Sequence, residues 1–447
     1  MEVSSLYRLK NISIWVMTLT IAFTLSFATS VSPVKAEEDP LGITAEAAIL
    51  LDADTGKILY AKNIDVVLGV ASMSKMMTEY LLLEAIAEGK IKWDQKVKIN
   101  AYVHELSGAP GLSNVGLTEG EDYTVEELYQ AMAIHSGNAA TVALAELMAG
   151  SETNFITLMN KKAEELQLGD YKFVNSSGLN NSSLLGNHPA GGADEENVMS
   201  ARATAKLAYH LINDYPEVIE TAKMPELQFR DGRTYKNFNW MLPGLIFEYA
   251  GVDGLKTGST DFAGAGFTAT AEKDGQRVIA VVMKAATKDE RFTEMRKILD
   301  YAFGNFTEEE IVEKGFQVKG QKTLPVTKGK EDEVSIESKE SISMVVKNGE
   351  KDQYKTVLKL DEDKLNEDGE LTAPVKKGDK VGTLTIEPIE GEGLGFLTES
   401  GQKQITVDVI ATEDVEKANW FVLMMRGVGG FFGNLWDSAS SAVKGIF

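Results

Sequence analysis

Ala71-Ser72-Met73-Ser74-Lys75-Met76-Met77-Thr78 opens an apolar run that reaches Ile86. Ser72 and Lys75 stand three residues apart, a spacing that puts both side chains on one face of a helix. A serine hydroxyl is a weak nucleophile until a base removes its proton. A neutral lysine amine one turn away is placed to remove it. Beside so apolar a run, Lys75 reads as a buried amine, and burial favours its neutral form. Ser74 reads as structural, and Met73, Met76 and Met77 as core filler. The run predicts a helix from Ser72 to near Gly89.

Working outward, residues 47–52 and 57–62 read as strands about the turn Asp54-Thr55-Gly56. Thr124-Val125-Glu126-Glu127 is a capping-box pattern, so a helix runs from there to about His135. Ser136-Gly137-Asn138 breaks the helical pattern. Further helices are expected over 139–149, 154–167 and 201–212, the first two closed by Gly150 and Gly169. The period then changes to two. Residues 255–259, 266–272 and 277–283 read as strands, the last pair joined by Asp274-Gly275, before a helix over 292–303. A hairpin, helices, three strands and a helix predict an α+β domain: one antiparallel sheet flanked by helices on both faces.

From about Thr307 short β-type runs such as 334–336, 343–346 and 381–386 alternate with Gly, Asp and Lys turns. They predict a second, small all-β domain, a sandwich. Nothing in it suggests chemistry, and it reads as a spacer.

The ends differ from the middle. Arg8 and Lys10, an apolar stretch over 12–31 and Val34-Lys35-Ala36 form a signal-peptide pattern, with cleavage expected after Ala36. An uncleaved membrane helix is the competing reading of that stretch. At the other end Trp420, Met424, Val428, Phe431, Leu435, Ala439, Ala442 and Ile446 recur at steps of three or four. Phe421, Phe432, Trp436 and Phe447 add aromatic area, while Arg426, Asp437 and Lys444 oppose a deep span. This suits an amphipathic helix lying in a membrane interface. A helix packed on the protein body is the alternative. The expected division is signal peptide 1–36, catalytic domain 37–306, β-rich spacer 307–412 and amphipathic anchor 413–447.

The 447 residues carry a net charge of -22, which argues against nucleic acid as a partner because phosphate binding needs basic patches. The chain has no cysteine, so disulfides, thiolate catalysis and zinc–thiolate sites are excluded. His104, His135, His188 and His210 lack helical zinc-motif spacing, and no metal or cofactor is expected. His135 adjoins Ser136 and is the one histidine placed to line a site.

Ser72-Met73-Ser74-Lys75 on a helix, Ser136-Gly137-Asn138 at an interhelical break and Lys256-Thr257-Gly258 on a strand are weak signals singly. Their joint placement is specific. On these residues the chain resembles the low-molecular-mass penicillin-binding proteins, the serine-type D-alanyl-D-alanine carboxypeptidases, and among them the Bacillus-type members with a C-terminal amphipathic anchor. Phe173-Val174-Asn175 with Gly178-Leu179, Asp253-Gly254-Leu255 before the lysine, and Asn419-Trp420-Phe421 extend the resemblance over nearly the whole mature chain. The fold it implies is the penicillin-binding and serine β-lactamase-like transpeptidase fold, followed by the all-β domain and anchor.

Chemistry and resemblance together assign roles. Ser72 is the nucleophile, Lys75 its base, helped towards neutrality by burial and by Lys256. Ser136 relays a proton to the leaving amine. Asn138 holds the substrate amide and the lysine. Lys256 and Thr257 suit a substrate carboxylate, with Gly258 and Ser259 on the same strand. The resemblance places oxyanion N–H donors at Ser72 and Ser259 and makes Arg291 a carboxylate helper. A solvated helix-start charge is the other reading of Arg291. The implied partners are a peptidoglycan stem peptide ending in D-Ala-D-Ala, β-lactam inhibitors, and a membrane surface met through the C-terminal helix. The implied location is the outer face of the cytoplasmic membrane, after export. Two other functions stay open: a serine β-lactamase, which needs a fast deacylating base, and a non-catalytic wall-binding or sensor protein.

Overall fold

The computed structural model describes residues 39–425 apart from 392. The expected signal peptide and the apolar stripe beyond 425 lie outside the described residues.

Strand β1 (Ala47–Asp52) is buried at all six positions. A strand so placed is covered on both faces. Its turn into β2 (Ile58–Lys62) is locked by Asp52, whose carboxylate accepts from the Thr55 backbone N–H at 2.8 Å. Strands β3 (Val252–Thr260), β4 (Gly264–Lys273) and β5 (Gln276–Ala285) complete one sheet in the order β3-β4-β5-β1-β2. Every neighbouring pair is antiparallel, with Ile49 opposite Val281 and Lys256 opposite Thr268. The early hairpin thus joins the late strands, as expected. The β4–β5 turn takes positive φ at both Asp274 (52°) and Gly275 (82°), the twist-matched hairpin turn that Asp-Gly favours.

Helix α1 (Lys75–Ala87) follows a short 3-10 turn, Ala71–Ser74, so Ser72 precedes the helix rather than lying within it. Then come α2 (Val125–His135), α3 (Asn138–Ala149), α4 (Glu152–Glu165), α5 (Ala201–Asp214) and α6 (Glu290–Asn305). The capping box at Thr124 and Glu127 forms as the pattern predicts. Helix α4 starts two residues earlier than expected because the Ser151 hydroxyl caps it, accepting from the Asn154 N–H.

Ile49, Leu51 and Val281 share a core with Met76, Met77, Leu207 and Leu211, so α1 and α5 cover one face of the sheet. Phe267 lies opposite Val282, on the other face, and meets Phe292 of α6 edge-on at 5.4 Å. A second core joins Leu82 of α1 to Leu128 of α2 and Leu144 of α3. The helical lobe built on that core faces β3, the free edge of the sheet.

The chain passes from α6 into β6 (Phe306–Val312) without a linker. Strands β7 (Thr323–Thr327), β8 (Glu333–Ser338), β9 (Ile342–Lys347), β10 (Tyr354–Leu360), β11 (Leu371–Thr372), β12 (Lys380–Pro388) and β13 (Thr406–Ala411) follow. They form a two-stranded sheet, β6-β9, and a six-stranded sheet ordered β10-β12-β13-β8-β7-β11, around a core containing Val334, Leu384 and Val415. One loop of this β domain returns to the first. Ile58 N–H donates to the Gly395 carbonyl at 2.9 Å, and Leu397 N–H donates to the Gly56 carbonyl at 2.9 Å. Leu397 is buried in the same core as Ile49. Lys57 Nζ donates to the Val345 carbonyl at 2.7 Å and to Tyr354 Oη at 3.0 Å.

The chain leaves the β-domain core after Ala418. Asn419 Oδ1 accepts from the Val422 N–H at 2.9 Å and starts a helical segment over 420–425, with Trp420 74% and Phe421 54% exposed. Among the described residues no helix is long and apolar enough to cross a membrane.

Candidate active site

The site lies where the edge of β3 meets the turn Ala71–Ser74. The Ser74 hydroxyl donates to the Ala71 carbonyl at 2.7 Å and holds that turn closed. Strand β3 approaches so closely that a Cβ at Gly258 would lie 2.5 Å from the Val70 carbonyl oxygen and 3.1 Å from the Ser72 amide nitrogen. Only glycine lets the strand and the Ser72 turn share this space.

Lys75 is wholly buried at the start of α1. Its Nζ lies 2.8 Å from Asn138 Oδ1, 2.6 Å from the Ser177 carbonyl oxygen and 3.0 Å from Ser72 Oγ. The first two are acceptors only. A neutral amine has two N–H bonds and one lone pair. The two carbonyl oxygens take the N–H bonds, which leaves the lone pair for the Ser72 hydroxyl to donate to. Burial drives the Lys75 pKa well below the ordinary lysine value, the Lys256 charge adds to this, and Glu79 opposes it.

Asn138 and Ser177 are themselves fixed. Asn138 opens α3, and its Nδ2 donates to the Ser113 carbonyl at 2.9 Å. Asn175 Oδ1 accepts from the N–H groups of Ser177 (3.2 Å) and Gly178 (2.7 Å), which sets the turn that presents the Ser177 carbonyl.

Ser136 ends α2 with φ 56°, a left-handed conformation rare for serine. Lys256 Nζ donates to its Oγ at 3.0 Å. Lys256 is buried on β3, and burial lowers its pKa, Glu79 opposing and Arg291 adding to the effect. Glu79, one turn beyond Lys75 on α1, is pushed up by burial and held back by the two lysines. Arg291, at the start of α6, is 2% exposed and donates from Nη1 to the carbonyls of Gly258 (3.3 Å) and Gly266 (3.4 Å). Its Nε has no hydrogen-bond partner among the described residues. Arg291 is therefore not a solvated helix-start charge.

A cleft of about 210 Å³ is lined by Ser72, Ser136, Asn138, Thr257, Gly258, Ser259 and Arg291. Lys75 and Lys256 sit behind it, in contact with the two serines. All nine residues singled out in the sequence thus converge. A larger hollow of about 460 Å³ beside α1 and α4 contains none of them. Sequence reasoning passed over Glu79, Phe238 and Trp240, the last two also lining the cleft. The signal for Glu79 was its i+4 spacing from Lys75. For the aromatics it was the alternation Asn237-Phe238-Asn239-Trp240.

Residues 33–287 match the family described as D-alanyl-D-alanine carboxypeptidase, and residues 306–417 match the C-terminal domain of penicillin-binding protein 5. The D-alanyl-D-alanine carboxypeptidase DacF of Bacillus subtilis is 36% identical over 388 residues, covering 86% of this chain and 89% of DacF. Among solved structures, the peptidoglycan synthesis regulatory factor PBP3 of Streptococcus pneumoniae superposes with a TM-score of 0.69 at 37% identity, over 84% of this chain and 100% of that one. Penicillin-binding protein D2 of Listeria monocytogenes, in its ampicillin-bound form, superposes with a TM-score of 0.51 at 31% identity, over 59% of this chain and 99% of that one. Sequence, fold and the convergent serine–lysine pairs agree: the chain belongs to the D-alanyl-D-alanine carboxypeptidase family of serine peptidases.

Proposed function

We propose that the protein is a serine-type D-Ala-D-Ala carboxypeptidase that removes the terminal D-alanine from peptidoglycan stem pentapeptides through an acyl-enzyme on Ser72. The observation that carries this is the Lys75 environment, two carbonyl acceptors and one hydroxyl around a buried amine. Lys75 takes the Ser72 proton as Oγ attacks the carbonyl of the penultimate D-alanine. Backbone N–H groups of Ser72 and Ser259 receive the oxyanion. Ser136, held by Lys256, relays to the leaving amine the proton that Lys75 took from Ser72, so Lys75 is neutral again as D-alanine departs. Water then attacks the ester and regenerates the Ser72 hydroxyl. Lys256, Thr257 and Arg291 supply the positive charge and hydroxyl that a terminal carboxylate needs.

A β-lactam presents an amide and a carboxylate to the same groups and acylates Ser72. The test is mass spectrometry of the intact protein after brief benzylpenicillin exposure, with peptide mapping. One adduct, on Ser72, is expected, together with D-alanine release from a pentapeptide. An adduct on another residue, or no release, overturns the proposal.

The outer face of the cytoplasmic membrane is the proposed location, with export directed by residues 1–36 and peripheral attachment through the C-terminal helix. Exposed Trp420 and Phe421 at the capped start of that helix support it. Deleting residues 420–447 is expected to yield an active enzyme that no longer sediments with membranes. Retained sedimentation of the processed, truncated protein contradicts the attachment.

A further inference from the structure

We propose that Phe238 and Trp240 form a rigid wall against which the leaving residue sits, restricting that residue to a small side chain. This rests on the carboxypeptidase reading above.

The wall begins in the alternation Asn237-Phe238-Asn239-Trp240. The two asparagines are 4% and 1% exposed. Asn237 Nδ2 donates to the carbonyls of Ala222 (3.2 Å) and Met224 (3.0 Å), and Asn239 Nδ2 donates to the Gly254 carbonyl at 3.2 Å. Their Oδ1 atoms accept from the N–H groups of Asn239 (2.8 Å) and Met241 (3.1 Å). Two buried amides so fully engaged fix the segment to the body of the domain. The intervening aromatics are left half-buried and line the cleft.

Each ring is also fixed from behind. Phe238 stacks on His135 at 5.0 Å between centroids, and His135 directly precedes Ser136. Trp240 stacks on Phe292 at 5.6 Å and on Phe247 at 6.3 Å. Phe292 directly follows Arg291, whose guanidinium lies over its ring at 4.7 Å. Phe238 is thus tied to the Ser136 end of the cleft and Trp240 to the Arg291 end.

A leaving residue has its amine at Ser136 and its carboxylate towards Thr257 and Arg291, so it spans the same interval as the two rings. A methyl group packs against them. A larger side chain has to displace rings that are already stacked, in a segment that two buried asparagines hold still. Loss of close packing of this kind discriminates by about 10- to 200-fold per group.

The test compares diacetyl-L-lysyl-D-Ala-D-Xaa peptides with Xaa as alanine, leucine or phenylalanine, for the full chain and for Trp240→Ala and Phe238→Ala. The readout is the ratio of kcat/KM for D-Ala over D-Phe release, with kcat and KM reported separately. A fall of roughly tenfold or more in that ratio is expected for each variant, carried by better use of the bulky peptide. Trp240→Leu, which keeps an apolar side chain, is expected to lie between wild type and alanine and serves if an alanine variant misfolds. An unchanged ratio in folded variants overturns the wall. A wild-type protein that releases no D-amino acid from any of the three peptides sinks instead the activity on which the wall depends.

Discussion

Lys75 has two neighbours that can only accept and one that can donate. That asymmetry supports the proposed role of Lys75 as the base. Arginine cannot lose its proton in a protein, so Lys75→Arg is expected to keep the charge, lose the chemistry and slow penicillin acylation on the order of 10²- to 10⁴-fold. A rate within a factor of a few of wild type contradicts the role. Glu79 offers a second test. Its carboxylate favours the cationic forms of Lys75 and Lys256. The active form needs Lys75 neutral and Lys256 charged, so the descending, alkaline limb of kcat/KM reports Lys256 losing its proton. Glu79→Gln removes a negative charge that holds that proton, so this limb moves to lower pH. The carboxylate's own raised pKa concentrates the effect on the alkaline side, where it is ionised. An alkaline limb that stays put shows that Glu79 does not act on the site.

Each of these residues is delivered by an element with its own local logic. The capping box at Thr124 begins α2, whose far end holds Ser136 in its left-handed conformation. Thr124→Ala is expected to cost about 1 kcal/mol in urea unfolding. No change in the unfolding midpoint contradicts the cap's contribution. Strand β3 carries Lys256 and must also pass the Ser72 turn at Gly258. Gly258→Ala puts a methyl 2.5 Å from the Val70 carbonyl oxygen, so the strand or the turn has to move. Displacement of that size costs about 10²-fold in rate. Acylation by penicillin should fall accordingly while the protein stays folded, and a normal rate would refute the steric argument. Strong local signals made these elements readable: the short apolar run of β1, the capping box, Asp274-Gly275. Ser151 is itself a cap signal that the expected start at 154 overlooked, whereas the 3-10 turn under Ser72 carries no comparable one.

At the scale of the molecule, the β domain is joined to the catalytic sheet by more than chain connectivity. Backbone hydrogen bonds run from Ile58 to Gly395 and from Leu397 to Gly56, alongside the edge strand β2. An edge covered in this way is protected from stray pairing. Leu397 fills the catalytic core from across the junction. Leu397→Ala is expected to destabilise by about 2–5 kcal/mol, as for other buried leucines, with the loss seen in the catalytic domain's own thermal transition. A midpoint shift confined to the β domain contradicts that coupling. Truncation after residue 306 removes Leu397 and bares β2 together, so it should lower the catalytic domain's midpoint at least as far.

The sequence by itself determined which side chains meet at the site: a serine and a lysine one turn apart, a second serine at a helix break and a second lysine on a strand. It also determined the order of strands and helices, because period and turn residues are local properties. Tertiary structure decided what has no local signature. It brought Asn138 and the Ser177 carbonyl to the Lys75 amine from 63 and 102 residues away. It buried Arg291 and Glu79, set two aromatic rings along the cleft, and sent Leu397 into a core outside its own domain. These depend on contacts between distant segments, and burial energy is a property of the packed chain rather than of any stretch within it.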